Sequence, residues 1–214
     1  MIGTFRIGAV ILAGGRGSRM HSDIQKQYML LNGRPLISYA LEAFEQSIVD
    51  VMVLVTGAGE EDYVRQEILA PLHLKKLCGI VTGGKERYHS VYEGLKALQK
   101  CDYVLIHDGA RPLVTGEIIS RAVYAAMQDG ACVVGMPVKD TIKLVDTDSC
   151  IVDSPRRSLV WQAQTPQVFA VPLIAEAFAR QMKKDCSNVT DDAMVVEAQM
   201  GVKIHMTQGS YENI

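Results

Sequence analysis

The sequence predicts a three-layer α/β/α sandwich built on a Rossmann-like, mostly parallel sheet, with one β-arm extruded from it. Three observations carry this. Short apolar runs of strand length alternate with longer amphipathic stretches along most of the chain, the rhythm of an α/β fold. The runs are apolar almost throughout, not at every second position, as strands buried on both faces must be. Residues 139–167, KDTIKLVDTDSCIVDSPRRSLVWQAQTPQ, break the rhythm with two strand-like pieces, TIKLV and CIVDS, around a polar turn.

Taken in order, the predicted strands are Ile7–Ala13, Val51–Thr56, Leu77–Thr82, Tyr103–His107, Ala131–Val138 and Val202–Thr207. Between them Pro35–Phe44, Glu60–Leu69, Arg87–Leu98, Gly116–Gln128 and Pro172–Lys183 carry apolar residues at helical spacing. Thr190, Asp191 and Asp192 open a further helix, and first-turn acids there read as caps, not as a metal pair. The arm reads as extruded, with the lone Trp161 beyond it; its plain alternative is a hairpin covering a sheet edge. No repeat or linker divides the chain, so 1–214 reads as one domain.

A 48% hydrophobic content is ample for a full core, and a net charge of −2 implies no general affinity for polyanions. Nucleic acid is therefore not an expected partner, and any anion site must be local. Cys78, Cys101, Cys132, Cys150 and Cys186 are odd in number, with no C-x-x-C pair or Cys/His grid, which fits free thiols in a reducing cytoplasm. No signal-peptide pattern opens the chain, and no apolar run approaches the ~18 residues needed to cross a bilayer. The expected location is cytoplasmic, with no membrane partner.

Behind the first strand the chain reads LAGGRGSRMHSDIQKQY, Leu12 to Tyr28. Gly14, Gly15 and Gly17 crowd together, with Arg16, Arg19 and Lys26 around and behind them. The dinucleotide pattern G-x-G-x-x-G needs glycine where Met20 stands, and the G-K-[ST] of a P-loop is absent. What remains is backbone N–H able to form an anion-binding nest, open to close approach because glycine has no Cβ. The plain alternative is a tight strand-to-helix turn with a solvated basic rim. Cations at a helix entry cost stability unless an anion fills the gap, so the loop reads as a cradle for a triphosphate.

Together LAGGRGSRM, KQY, NGRPLISYALEAF, GGKERYHSVYEGL (83–95), HDGARPLV (107–114), PVKDTIK (137–143), RSLVWQAQTPQVF (157–169) and VTDDAMVVE (189–197) resemble the sugar and polyol nucleotidyltransferases. Within these, the ordered set resembles the 2-C-methyl-D-erythritol 4-phosphate cytidylyltransferases of non-mevalonate isoprenoid biosynthesis, over essentially the whole chain. Departures are Gly14 and Gly109, where the family pattern has alanine, and Gln25, where it has proline. The pattern also continues past Asn213 and Ile214 with a lysine used near the substrate phosphate, a position this sequence does not reach.

The resemblance implies a nucleotide-diphospho-sugar transferase fold, and the reaction of CTP with methylerythritol phosphate to CDP-methylerythritol and pyrophosphate. A phosphate monoester is already anionic near pH 7, which accounts for the lack of a Ser-His-Asp set or carboxylate pair. Arg19 and Lys26 are then the catalytic residues, stabilising the pentacoordinate α-phosphate. Ala13, Gly14, Gly15 and Gly17 hold the nucleotide's phosphates, Gly84 and Ser90 its base, and Asp108 its ribose and phosphates together with Mg²⁺. Thr141, Arg157, Thr165 and Arg111 hold the polyol phosphate, the arm reaching into a second subunit of a homodimer. Two roles have plain alternatives: Ser90 bonding back to its own helical turn, and Asp108 capping the DGARP turn. His107 reads as a strand-end packing residue. Other readings are a cytidylyltransferase for another polyol phosphate such as ribitol 5-phosphate, a non-catalytic nucleotide-binding module and, least favoured, a dehydrogenase.

Overall fold

Strand β1 (Ile7–Ala13) lies at the centre of the main sheet, and its burial explains its composition. Ile7, Ala9, Ile11 and Ala13 enter one hydrophobic core, while Val10 and Leu12 enter a second on the opposite face. The computed structural model describes residues 4–15, 24–98, 100–183 and 189–214. β1 pairs in parallel with β4 (Val51–Thr56) and β6 (Tyr103–Asp108), and β5 (Leu77–Thr82) extends the sheet beyond β4. On the other side β10 (Trp161–Ala170) runs antiparallel between β6 and β7 (Ala131–Pro137), and β11 (His205–Gln208) closes the edge parallel to β7. The order of the seven strands is β11-β7-β10-β6-β1-β4-β5.

Helices cover both faces. The first core is closed by α1 (Leu36–Glu45), α2 (Glu61–Tyr63, continued by the π-helical Val64–Leu69) and α4 (Gly116–Asp129), through Phe44, Ile68 and Ile119 among others. The second is closed by α3 (Arg87–Ala97), α5 (Val171–Gln181) and α6 (Asp192–Met200), through Val91, Phe178 and Val196. α4 starts where Thr115 accepts the N–H of Ile118 and stops at Gly130, whose φ of 82° suits a residue without Cβ. A small hairpin, β2 (Leu30–Leu31) and β3 (Arg34–Pro35), turns on Asn32 and Gly33, both at positive φ. No helix of the described residues is long and apolar enough to cross a membrane.

The arm is shorter than the sequence predicts. β8 (Leu144–Val145) and β9 (Ile151–Asp153) pair antiparallel, and a 3₁₀ turn at Arg157–Leu159 leads back. Residues 161–167, expected in the arm, belong instead to β10 inside the main sheet. The final strand begins at His205, later than the expected Val202.

Candidate active site

Open α/β sheets bind ligands at the carboxyl ends of their strands. Here a cavity of about 920 Å³ lies there, where β1, β4, β5 and β6 end, at the upper end of the usual range for small-molecule sites. Much of its wall is backbone, because side chains do not fit. A Cβ on Gly14 would sit 3.3 Å from the Thr56 carbonyl oxygen, so the alanine usual there demands a small shift. A Cβ on Gly83 would lie 2.6 Å from Ser90 Oγ, and one on Gly84 would overlap His89 Cβ. Ser90 Oγ accepts the Gly84 N–H at 3.2 Å and donates to the Glu86 carbonyl at 3.3 Å. Ser90 thus bonds back to its own turn and, in doing so, fixes the glycine pair beside the cavity.

Lys26 enters from a 3₁₀ turn, Lys26–Tyr28, and lines the cavity with Gly14 and Gly15. Among the described residues no side chain pairs with its ammonium. Its neighbours are held firmly. Buried Gln27 donates to the carbonyls of Ala13 and Gly15, at 2.5 and 3.0 Å. The Glu60 carboxylate accepts from Tyr28 Oη at 2.9 Å, from the Gly57 N–H at 3.1 Å and from Gln25. Burial, then Glu60 beside it, drives the Tyr28 phenol far above its ordinary pKa, so it stays a donor.

Asp108, ending β6, forms the floor. Its carboxylate accepts from Arg87 Nε at 3.2 Å and, more weakly, from Arg111 Nε at 3.5 Å. Burial opposes its ionisation, yet Arg87 beside it holds its pKa below the usual carboxylate value. Arg87 also grips Asp192 through two parallel bonds of 2.9 and 3.0 Å. Burial works against the Arg87 cation, but Asp192 and Asp108 outweigh it and raise its pKa further.

Behind Asp108 runs a chain of hydrogen bonds whose direction follows from one fact: a carbonyl only accepts. His107 Nε2 lies 3.2 Å from the Arg111 carbonyl, so Nε2 carries the proton. Burial lowers the His107 pKa to about 4, leaving Nδ1 bare at neutral pH to accept from Thr165 Oγ1 at 3.0 Å. Thr165 Oγ1 in turn accepts the Asp108 N–H at 3.1 Å. His107 is thus a buried packing residue that also orients Thr165. Asn213, fully buried, donates to the Thr165 carbonyl at 2.9 Å and offers its own carbonyl to Arg111 at 2.8 Å.

The predicted residues divide accordingly. Gly14, Gly15, Lys26, Gly84, Ser90 and Asp108 line the one cavity. Arg111 and Thr165 line a smaller hollow beside it, sharing Asp108 and Arg87. The Thr165 hydroxyl proton is committed to His107, so what this hydroxyl has left to offer is a lone pair. Ala13 is buried at the strand end and contributes its carbonyl to Gln27. Thr141 and Arg157 line neither hollow: they sit exposed on the arm, Arg157 donating to the Lys139 carbonyl at 3.2 Å. Arg16, Gly17 and Arg19 lie outside the described residues. Asp108 does not cap its turn with its side chain, and only Asp191 caps α6, accepting the Met194 N–H at 2.9 Å; Asp192 is spent on Arg87.

Arg87, Gln27, Glu60 and Asn213 escaped sequence reasoning, and Asp192, which the sequence marks only as a helix cap, is instead the partner of Arg87. One signal was present for the first. An arginine opening a helix opposes the macrodipole, so Arg87 at the start of α3 calls for acidic partners.

The comparisons fit this geometry. Residues 7–214 match the family model described as IspD, 2-C-methyl-D-erythritol 4-phosphate cytidylyltransferase. The chain is 49% identical over 208 residues to the protein of that name from Lachnospira eligens, covering 96% of this chain and 91% of the relative. It is 43% identical to that of Alkaliphilus oremlandii, covering 98% and 89%. Among solved structures it is similar to 4-diphosphocytidyl-2C-methyl-D-erythritol synthase from Anaerococcus prevotii, with a TM-score of 0.87 at 30% identity over 98% of this chain and 89% of that one. The cytidylyltransferase of Thermus thermophilus gives 0.75 at 27%, covering 98% and 92%. A likeness that spans the glycine wall, the lysine turn and the Asp108 floor in one alignment leaves a single assignment: this chain belongs to the 2-C-methyl-D-erythritol 4-phosphate cytidylyltransferase family.

Proposed function

We propose that the chain joins CTP to 2-C-methyl-D-erythritol 4-phosphate, giving CDP-methylerythritol and pyrophosphate. The observation that carries this reading is the cavity at the sheet's carboxyl edge, where bare glycine backbone faces a Lys26 that no described side chain pairs. An oxygen of the phosphate monoester attacks the α-phosphorus of CTP. The bond from that phosphorus to the α–β bridging oxygen breaks, and pyrophosphate leaves with the electron pair. With a second pKa of about 6, the monoester is mostly dianionic at pH 7 and needs no general base. Nor is His107, behind the floor, such a base, since its imidazole is buried and both its nitrogens are engaged. Lys26 meets the charge that gathers on the phosphates, and the Gly14–Gly15 backbone lets them approach.

Mg²⁺ fits these residues. Asp108 is one hard carboxylate facing the cavity, and among the described residues each of its oxygens accepts from a single arginine. One carboxylate with phosphate oxygens and waters is a common magnesium set. Asp108 would hold the ion, which when bound neutralises phosphate charge. The expected result is magnesium-dependent pyrophosphate release that requires CTP and methylerythritol 4-phosphate together. Equal turnover with UTP or ATP would overturn the base assignment, and equal turnover with ribitol 5-phosphate the choice of polyol.

The proposal includes a homodimer whose arms complete each other's sites. Leu144, Val145, Ile151 and Val152 on the arm are 49% to 62% exposed, an apolar surface that a monomer would leave to water. With Arg157 remote from its own cavity, the arm of one subunit brings it to the other's. Subunits carrying Arg157→Ala, mixed with subunits carrying Lys26→Ala, are expected to regain activity on exchange, because some heterodimers place both lesions in one site and leave the other intact. If both groups served one chain's site, every site would keep one lesion. A well-exchanged mixture that stays inactive excludes the shared site.

A further inference from the structure

We propose that Gln27 is a positioning residue that sets Lys26 against the glycine wall, an inference that rests on the cytidylyl transfer above. The side chain is 4% exposed, and its amide nitrogen faces three acceptors: the carbonyls of Ala13 and Gly15 and the side-chain oxygen of Gln25. Two N–H protons serve three oxygens, so the group is wholly committed. Ala13 ends β1, and Gly15 is the last described residue before the rest of the glycine loop.

A trans, planar peptide points its N–H opposite to its carbonyl. With the Ala13 carbonyl held by Gln27, the Gly14 N–H therefore faces the other way, and its direction is set by the same bond. Lys26 precedes Gln27 on a three-residue turn, whose far side is tied down where Glu60 accepts from Tyr28 and Gln25. One carboxamide thus fixes how far the ammonium's backbone stands from the cradle. An apolar side chain would fill the same space, so the amide is explained by what it holds. Misplacing a reacting constellation by 1 Å can cost about a hundredfold in rate.

The test is Gln27→Met, which keeps length and volume and removes the donor. The expected result is a fall in kcat of roughly ten- to a hundredfold with KM for methylerythritol phosphate little changed. In a Lys26→Ala background the same substitution is expected to cost far less, because the group it positions is gone. Gln27→Asn, a smaller change that keeps a shortened donor, is expected to retain an intermediate kcat; should Gln27→Met fail to fold, this variant carries the same comparison. A kcat near wild type, or a loss that multiplies in full on the Lys26→Ala background, would overturn the assignment and leave Gln27 a merely structural residue. Wild-type turnover is measured alongside: an inactive wild type would overturn cytidylyl transfer and this inference with it, whereas an active one isolates the effect of Gln27.

Discussion

Lys26→Ala is expected to lower kcat by about a hundredfold or more at saturating substrates, the usual loss when one preorganised charge is removed from a transition state. Stability should scarcely change. The ammonium is bonded to no described side chain, so its removal strands no partner, while Gln27 and Tyr28 keep the turn in place. KM for CTP should rise less than kcat falls, since the charge Lys26 meets is greatest as pyrophosphate departs. Lys26→Arg is not expected to restore the rate: a planar, delocalised fork places its charge elsewhere than a compact ammonium. Arg19→Ala is expected to behave as Lys26→Ala does. Steady-state kinetics with a thermal melt of each variant decide the matter. A Lys26→Ala enzyme with near wild-type kcat would remove the residue from the chemistry.

Much of this was legible in the sequence because its cause is local. β1, β4 and β5 have the bounds their apolar runs predict. β1 and β4 are buried on both faces and can hold little else, while β5, at the sheet edge, is only half-buried. Glycines that a side chain would clash with, and cations gathered beside them, also mark themselves. β10 did not. Its Gln162, Gln164, Thr165 and Gln167 read as polar arm, yet Gln164, Thr165 and Gln167 are buried. They bury because each finds partners far along the chain: Gln164 the Ser210 carbonyl, Thr165 the Asp108 amide, Gln167 the Asp191 side chain and the Ala193 N–H. Buried polarity of this kind is invisible until the fold supplies the partners. Arg87 and Asp192, 105 residues apart, are the same case in charged form.

That pair sets the second large effect. Asp192→Ala is expected to destabilise the fold by about 3 kcal/mol, the low end for breaking a buried ion pair. The cost arises less from the lost attraction than from the cation left behind. Asp192 is 1% exposed and takes both terminal nitrogens of Arg87, which among the described residues keeps only its Nε bond to Asp108. The low end applies because about a third of the Arg87 side chain still meets water. At an m-value of about 2 kcal/mol per molar urea, the midpoint should fall by about 1.5 M. The measurement belongs at pH 7.5, away from a second effect with a definite sign. His107 has a folded pKa of about 4, below the ~6.5 of an unfolded chain. Its contribution is whole above pH 6.5 and is lost as pH falls toward 4, because the unfolded state binds the proton first. Arg87→Ala leaves the opposite charge buried and should cost no less, whereas the double variant should cost less than the sum of the two. Strict additivity would mean that the two groups stabilise the fold independently, and that the bidentate contact is not what holds Arg87 against Asp108.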